Sequence, residues 1–136
     1  MKRTVISSAL VLALFFSVAL WGKEFRFTNN NSIAPAAAGK VDVEHDRNSN
    51  TRLRIHVYHL ADPDKLTPAK SAYVVWVQPA GKPALNVGQL RVNEDLEGTL
   101  TATTPYKTFD VFITAEDNAH ADSPTGQEML RTAVDR

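Results

Sequence analysis

Apolar and polar residues alternate along most of this chain, and the alternation is that of strands. Lys40–His45 sets Val41 and Val43 on one face and Asp42 and Glu44 on the other. Arg52–His59 does the same, with Leu53, Ile55 and Val57 against Arg52, Arg54 and His56. Between them Asp46-Arg47-Asn48-Ser49-Asn50 is a run of turn formers at hairpin length. Pairing His45 with Thr51 puts Val43 opposite Leu53 and Val41 opposite Ile55, while Glu44 meets Arg52 and Asp42 meets Arg54. Both faces are then matched, and a slip of one residue would spoil both.

Further strands follow. Asp62-Pro63-Asp64 and Thr67-Pro68 break the chain, with a short helical turn expected around Pro63–Leu66. Ala72–Gln78 is apolar on both faces, which predicts a central strand covered on two sides. Leu85–Val92 changes its apolar phase across Gly88, the signature of a β-bulge. Leu96–Thr103 alternates with Leu96, Leu100 and Ala102 inward. Phe109–Ala115 places Phe109, Val111 and Ile113 on one face, and Glu128–Val134 closes the series with Leu130 and Val134 inward. About seven short strands separated by turn signals predict an all-β fold, an Ig-like two-sheet β-sandwich.

The amino-terminal part has another pattern. Val5–Trp21 carries no charge and follows Lys2 and Arg3, the arrangement of an export segment. Residues 1–22 are therefore read as a signal peptide or signal-anchor helix, residues 23–39 as a linker and residues 40–136 as the sandwich domain. Ser17-Val18-Ala19 suits cleavage after Ala19, which would release the domain. Trp21 and Lys23 suit an uncleaved span with an interfacial aromatic and a flanking charge. Both versions place the domain outside the cytoplasm, anchored to the inner membrane and facing the periplasm or cell exterior, or secreted. Phe25 and Phe27 in the linker would rest against a membrane surface or begin an edge strand.

The chain has 15 basic and 15 acidic residues and no cysteine. Without Lys2 and Arg3 the exported part is mildly acidic, which argues against nucleic acid or an anionic surface as the main partner, since phosphate binding needs a basic patch. An exported domain without cysteine has no disulfides and relies on its core.

The candidate chemistry is sparse. His56 and His59 are three apart on one strand and point to opposite faces, while His45 lies opposite Thr51 and His120 in the loop between Glu116 and Gly126. A surface metal site could be drawn only from His45 with Asp46, or from His120 with Asp117 or Asp122. A cupredoxin-type site would need a cysteine. Asp46–Asn50 opens like a calcium loop, but Thr51 and Val57 stand where glycine and glutamate are required. Glu116, Asp117, Asp122, Asp110 and Glu97 are the acids from which a catalytic pair would be assembled. Neither Ser71 nor Ser123 has a nucleophile context. Tyr73, Trp76 and Phe112 could form an aromatic strip, although Tyr73 and Trp76 must face opposite ways.

The stretch from Tyr73 to Leu130 resembles the extracytoplasmic carboxyl-terminal domain of RskA-type anti-sigma factors. The resemblance rests on Tyr73-Val74-Val75-Trp76, Gly81, Gly88 and Gly98, then Val111-Phe112-Ile113-Thr114-Ala115-Glu116 and the Pro124-Thr125-Gly126 turn leading to Leu130. It implies a small β-sandwich displayed from a membrane helix, and it brings no catalytic residues. Such factors carry a sigma-binding domain ahead of the span, whereas only Met1-Lys2-Arg3 and Thr4 precede the apolar run here, so the outer module alone is expected. The expected function is a non-enzymatic interaction or sensory module of the bacterial cell envelope, without cofactor or metal. Its partner would be an envelope protein or polymer, with the membrane reached through the amino-terminal helix. The alternatives are a periplasmic metal or small-ligand binding protein using His45, His56 or His120, and a hydrolase or hydrolase accessory.

Overall fold

The computed structural model describes residues 22–136. The apolar run Val5–Trp21, with its expected helix and its cleavage point, lies outside them. Among the described residues no helix is long and apolar enough to cross a membrane. The fold is all-β, with eight strands: β1 (Lys23–Arg26), β2 (Ala38–His45), β3 (Thr51–Tyr58), β4 (Ala72–Pro79), β5 (Leu85–Val92), β6 (Gly98–Thr104), β7 (Thr108–Glu116) and β8 (Gln127–Asp135). A 3₁₀ turn at Pro63–Lys65 sits between β3 and β4, started by Asp62 as its cap.

All neighbouring strands are antiparallel, and they follow one continuous order, β1-β2-β3-β6-β5-β4-β7-β8. The two ends of that order nearly close on each other. Just beyond β1, Thr28 exchanges both backbone hydrogen bonds with Arg131 of β8, at 2.8 and 3.1 Å. Near-closure leaves few free strand edges.

The β2–β3 hairpin has the expected register throughout: His45 with Thr51, Glu44 with Arg52, Val43 with Leu53, Asp42 with Arg54 and Val41 with Ile55. Its turn is held by Asp46, whose carboxylate accepts from the backbone N–H groups of Asn48 and Asn50, while Ser49 adopts a left-handed φ of 64°. Val41, Val43, Leu53, Ile55 and Val57 are all buried. Burying each such side chain contributes about 1.5–3 kcal/mol, which is why the apolar face of the hairpin fixes its orientation.

β4 lies between β5 and β7 and is covered on both faces. Tyr73, Val75 and Val77 enter the main core, while Val74 and Trp76 face the other way and pack with Phe112. Opposite β4, Val75 pairs with Gly88 but Trp76 pairs with Asn86, so Val87 is the extra residue of a bulge. Gly88 has a φ of 142°, a conformation that side-chain-bearing residues rarely adopt. The phase change across Gly88 in the sequence is this bulge.

Two expectations need correction. Residues 23–39 are not a free linker: Lys23–Arg26 pairs with β2, and Phe25, Phe27, Ile33 and Ala34 pack against the core. Asn29 donates to the carbonyls of Ala34 and Ala37, both at 2.9 Å, and Asn31 donates to that of Met129 at 2.6 Å. Isolated apolar residues and a polar run carry no local period, yet here they satisfy backbone groups at the rim of the core. The second correction concerns Leu96, expected inside. It precedes β6, adopts a φ of 62° and is 45% exposed. The tight turn from Asn93 to Glu97, closed by Asn93 N–H to Glu97 at 2.8 Å, turns Leu96 outward.

Candidate functional site

The four histidines are kept apart, and one of them gains partners. His56 on β3 places Nε2 2.9 Å from a Glu97 carboxylate oxygen and Nδ1 3.2 Å from the Tyr58 hydroxyl. The imidazole and phenol rings also lie 4.2 Å apart between centroids. His56 is in register with Thr99, so Glu97 is its diagonal cross-strand neighbour. His45 and His120 are exposed, and so is His59, which leaves the strand at a φ of 56°. Among the described residues no group of three or more His, Cys, Asp or Glu side chains is placed to hold a metal ion.

The acids are dispersed into different tasks. Asp110 pairs with Arg131 at 2.6 Å, Asp117 reaches Lys70 at 3.5 Å, and Glu97 holds His56. Asp122, Ser71 and Ser123 are exposed. Glu116, expected in a solvated loop, is instead the last residue of β7 and is 1% exposed. Its carboxylate accepts from the Thr114 hydroxyl at 2.5 Å, the Thr125 hydroxyl at 2.7 Å and the backbone N–H of Thr125 and Gly126, each at 3.1 Å. Burial opposes its ionisation, but these donors outweigh burial and hold the carboxyl below its ordinary range. The turn signal Pro124-Thr125-Gly126 was visible in the sequence, and a carboxylate just before such a loop was the one hint of this anchor.

That anchor folds residues 117–126 back over the outer face of β4 and β7. Trp76, Phe112 and Arg131 form one cross-strand row there. The Arg131 guanidinium lies 4.1 Å from the Phe112 ring centroid, fixed by Asp110 and Glu128. Ala84 and Ala121 cover Trp76 and Phe112, while Asn86 donates to the carbonyls of Ala119 and Ala121 at 3.0 and 3.1 Å. Trp76 and Phe112 are thus a small second core, and Tyr73 points to the opposite face, donating its hydroxyl to the Ala61 carbonyl at 2.7 Å. Beside this lies an open cleft of about 540 Å³ between the start of β5 and residues 119–122.

The shortest pairing between neighbouring strands is that of β5 with β6. Only Arg91 with Thr99 and Val92 with Gly98 remain in register there. The Val87 bulge draws the first half of β5 away towards β4, and the Leu100 side chain approaches the Gly88 backbone in the space left. Pairing directions alternate along a strand. The bond from Asn93 N–H to Glu97 C=O aims Glu97 at β5, and that from Leu60 N–H to Leu96 C=O aims Leu96 at β3. Thr101 and Thr103 therefore turn their backbone groups towards the open side, whereas Leu100, Ala102 and Thr104 turn theirs to β3. The edge Gly98-Thr99-Leu100-Thr101-Ala102-Thr103-Thr104 has no charge, and its threonines at 99, 101 and 103 are exposed. Sequence reasoning missed this site, because an edge is a property of neighbours and not of a segment.

No protein-family model matches the chain, and comparison with curated proteins finds no match.

Proposed function

We propose that this protein is a non-enzymatic interaction or sensory module of the bacterial cell envelope, held outside the cytoplasm by its amino-terminal apolar segment. In this reading the domain is an Ig-like sandwich, β1-β2-β3-β6 facing β5-β4-β7-β8, with the short β5–β6 contact as the link between two sheets. The buried set shared by Val41, Val43, Leu53 and Ile55 on one side and Val75, Val77, Val111 and Ile113 on the other supports that description. It also agrees with the resemblance of Tyr73–Leu130 to the outer domain of RskA-type anti-sigma factors.

The observation that carries the function is the uncharged half-open edge of β6. Exposed edges are usually blunted by lysine, proline or a cover, and threonine-rich extended segments suit pairing with another strand. The partner would be an envelope protein supplying an extended segment that adds to Thr101 and Thr103. A photo-crosslinker at Thr101 in the full chain, expressed in a bacterial envelope, tests this. We expect one recurrent crosslinked protein, lost when Thr103→Pro removes an edge N–H. Repeated absence of any crosslinked protein, or capture unaffected by Thr103→Pro, would overturn it.

A further inference from the structure

The described chain begins at one particular end of the fold, and that end is electrically unlike the other. Antiparallel pairing places Lys23, the turn His45–Thr51, the turn Pro79–Leu85, the turn Thr104–Thr108 and Arg136 together. Direct contacts tie them. Lys23 Nζ donates to the Asp135 carbonyl at 3.3 Å, Arg136 Nη2 to the Ser49 carbonyl at 3.1 Å, and the Thr51 hydroxyl to the Tyr106 carbonyl at 2.7 Å.

This end carries Lys23, Arg47, Arg52, Lys82, Lys107 and Arg136, with Glu44, Asp46, Asp110 and Asp135 as its acids. The acids are engaged locally: Glu44 pairs with Arg52 at 3.0 Å, Asp110 pairs with Arg131 at 2.6 Å, Asp46 caps its own turn, and Asp135 accepts from the Thr108 hydroxyl at 3.1 Å. At the opposite end the exposed acids Asp62, Asp64, Glu94, Asp95, Asp117 and Asp122 outnumber the basic residues Lys65, Lys70 and Arg91. The mildly acidic net charge conceals this segregation of charge between the two ends. The basic end also presents Leu85, 45% exposed, and the half-buried Tyr106 under Lys82 Nζ, 5.1 Å from the ring centroid.

We infer that the Lys23–Arg47–Lys82–Lys107–Arg136 end of the domain rests on the anionic headgroup surface of a lipid bilayer, with the acidic end held away from it. Two observations select lipid over another polyanion. The chain outside the described residues arrives at this end, and its last part is the uncharged run Val5–Trp21. With residues 23–37 packed on the domain, no free tether separates that run from β1, so an anchored domain would be held at the surface by this end. Basic side chains near an anionic leaflet are attracted within a Debye length, and tyrosine favours the interface. The inference rests on the envelope reading of the apolar segment.

The chain contains no cysteine, so a single thiol can report position. Full-length chain carrying Asn48→Cys at the basic end, or Ser123→Cys at the acidic end, would be labelled with a fluorophore. It would be reconstituted with vesicles of phosphatidylcholine alone or mixed with phosphatidylglycerol, each holding a headgroup quencher. We expect clearly stronger quenching at position 48 with phosphatidylglycerol than with phosphatidylcholine alone, and little at position 123 in either. About 1 M salt, where the Debye length is about 3 Å, should reduce it severalfold. So should the combined reversal Arg47→Glu, Lys82→Glu and Lys107→Glu; if that variant does not fold, the salt series on the unaltered surface decides. Equal quenching at position 48 in both vesicle types, or stronger quenching at position 123, overturns the inference. Flotation with phosphatidylcholine vesicles separately reports the anchor. Should the chain not float with them, the anchor reading falls, and flotation with phosphatidylglycerol vesicles alone supports the basic-end contact while its absence ends it.

Discussion

Glu116 holds Thr125 twice, accepting from its hydroxyl at 2.7 Å and from its backbone N–H at 3.1 Å, and so pins a ten-residue loop to the end of β7. Folding depresses the Glu116 carboxyl below its ordinary value of 4.5. Its stabilisation is therefore fully present above the carboxyl range and is lost as pH falls through the lower folded value. Glu116→Gln should remove about 1.5–3 kcal/mol at neutral pH, the scale of hydrogen bonds to a charged group. The difference in unfolding free energy between the two proteins should shrink as the solution is acidified. Denaturant melts at several pH values check this, and a constant difference down to strong acid would refute it.

Gly126 should tolerate no side chain. A Cβ there would lie 1.7 Å from the Ala115 carbonyl oxygen, which is backbone fixed by the last pair of β7 with β8, Ala115 with Gln127, and cannot step aside. Gly126→Ala should destabilise by about 1–3 kcal/mol or more. It should also expose Trp76 as the loop lifts, read as a red shift of its emission against Gly81→Ala, where nothing lies within 4 Å of the added atom and only the φ of 72° is strained.

A buried relay runs from Trp76 Nε1 to the Thr114 hydroxyl at 2.8 Å and on to Glu116 at 2.5 Å. Breaking it in the middle orphans the Trp76 Nε1 donor and takes one donor from the Glu116 carboxylate, whereas removing its first donor leaves the hydroxyl still bonded to the carboxylate. Thr114→Val, nearly equal in volume, should therefore cost about 2–4 kcal/mol, combining a penalty of about 1–3 kcal/mol for the orphaned indole N–H with the loss of one bond to a charged group. Trp76→Phe removes more atoms but orphans none, so comparing the two by chemical denaturation separates polar satisfaction from packing. A smaller loss for Thr114→Val than for Trp76→Phe would contradict the relay.

Proline distinguishes the two sides of β6. Ala102 turns its N–H to β3, opposite Leu53, and Thr103 turns its N–H to the open side. Ala102→Pro should cost about 3 kcal/mol or more by deleting a ladder bond, while Thr103→Pro should leave stability within about 1 kcal/mol. Thermal unfolding of both variants reads this directly, and equal losses would show that the seam is not open.

The elements visible in advance were those whose pattern repeats inside one segment. Val41, Val43, Leu53 and Ile55 alternate with charges on both hairpin strands, so register and orientation followed from local arithmetic. The same holds for the bulge at Gly88 and for the doubly apolar β4. Phe25, Phe27 and Ala37 gave no such pattern, because two phenylalanines and one alanine flanking a polar run acquire partners only when β2 and β8 are already in place. Glu116 looked like any acid at the head of a loop until Thr125 and Gly126 each brought a backbone N–H group to it.

The amino-acid sequence by itself determined the all-β class, the hairpin register and which face of the alternating strands is apolar, since these depend only on a period of two. The tertiary structure alone decided which strand borders which. With that it decided the near-closure at Thr28 and Arg131, the open side of β6, and the burial of Glu116. It also decided the sorting of charge into a basic and an acidic end. Those features arise between segments far apart in the chain, where the sum of charges is blind to their places and pairing is set by how the whole apolar surface is best enclosed.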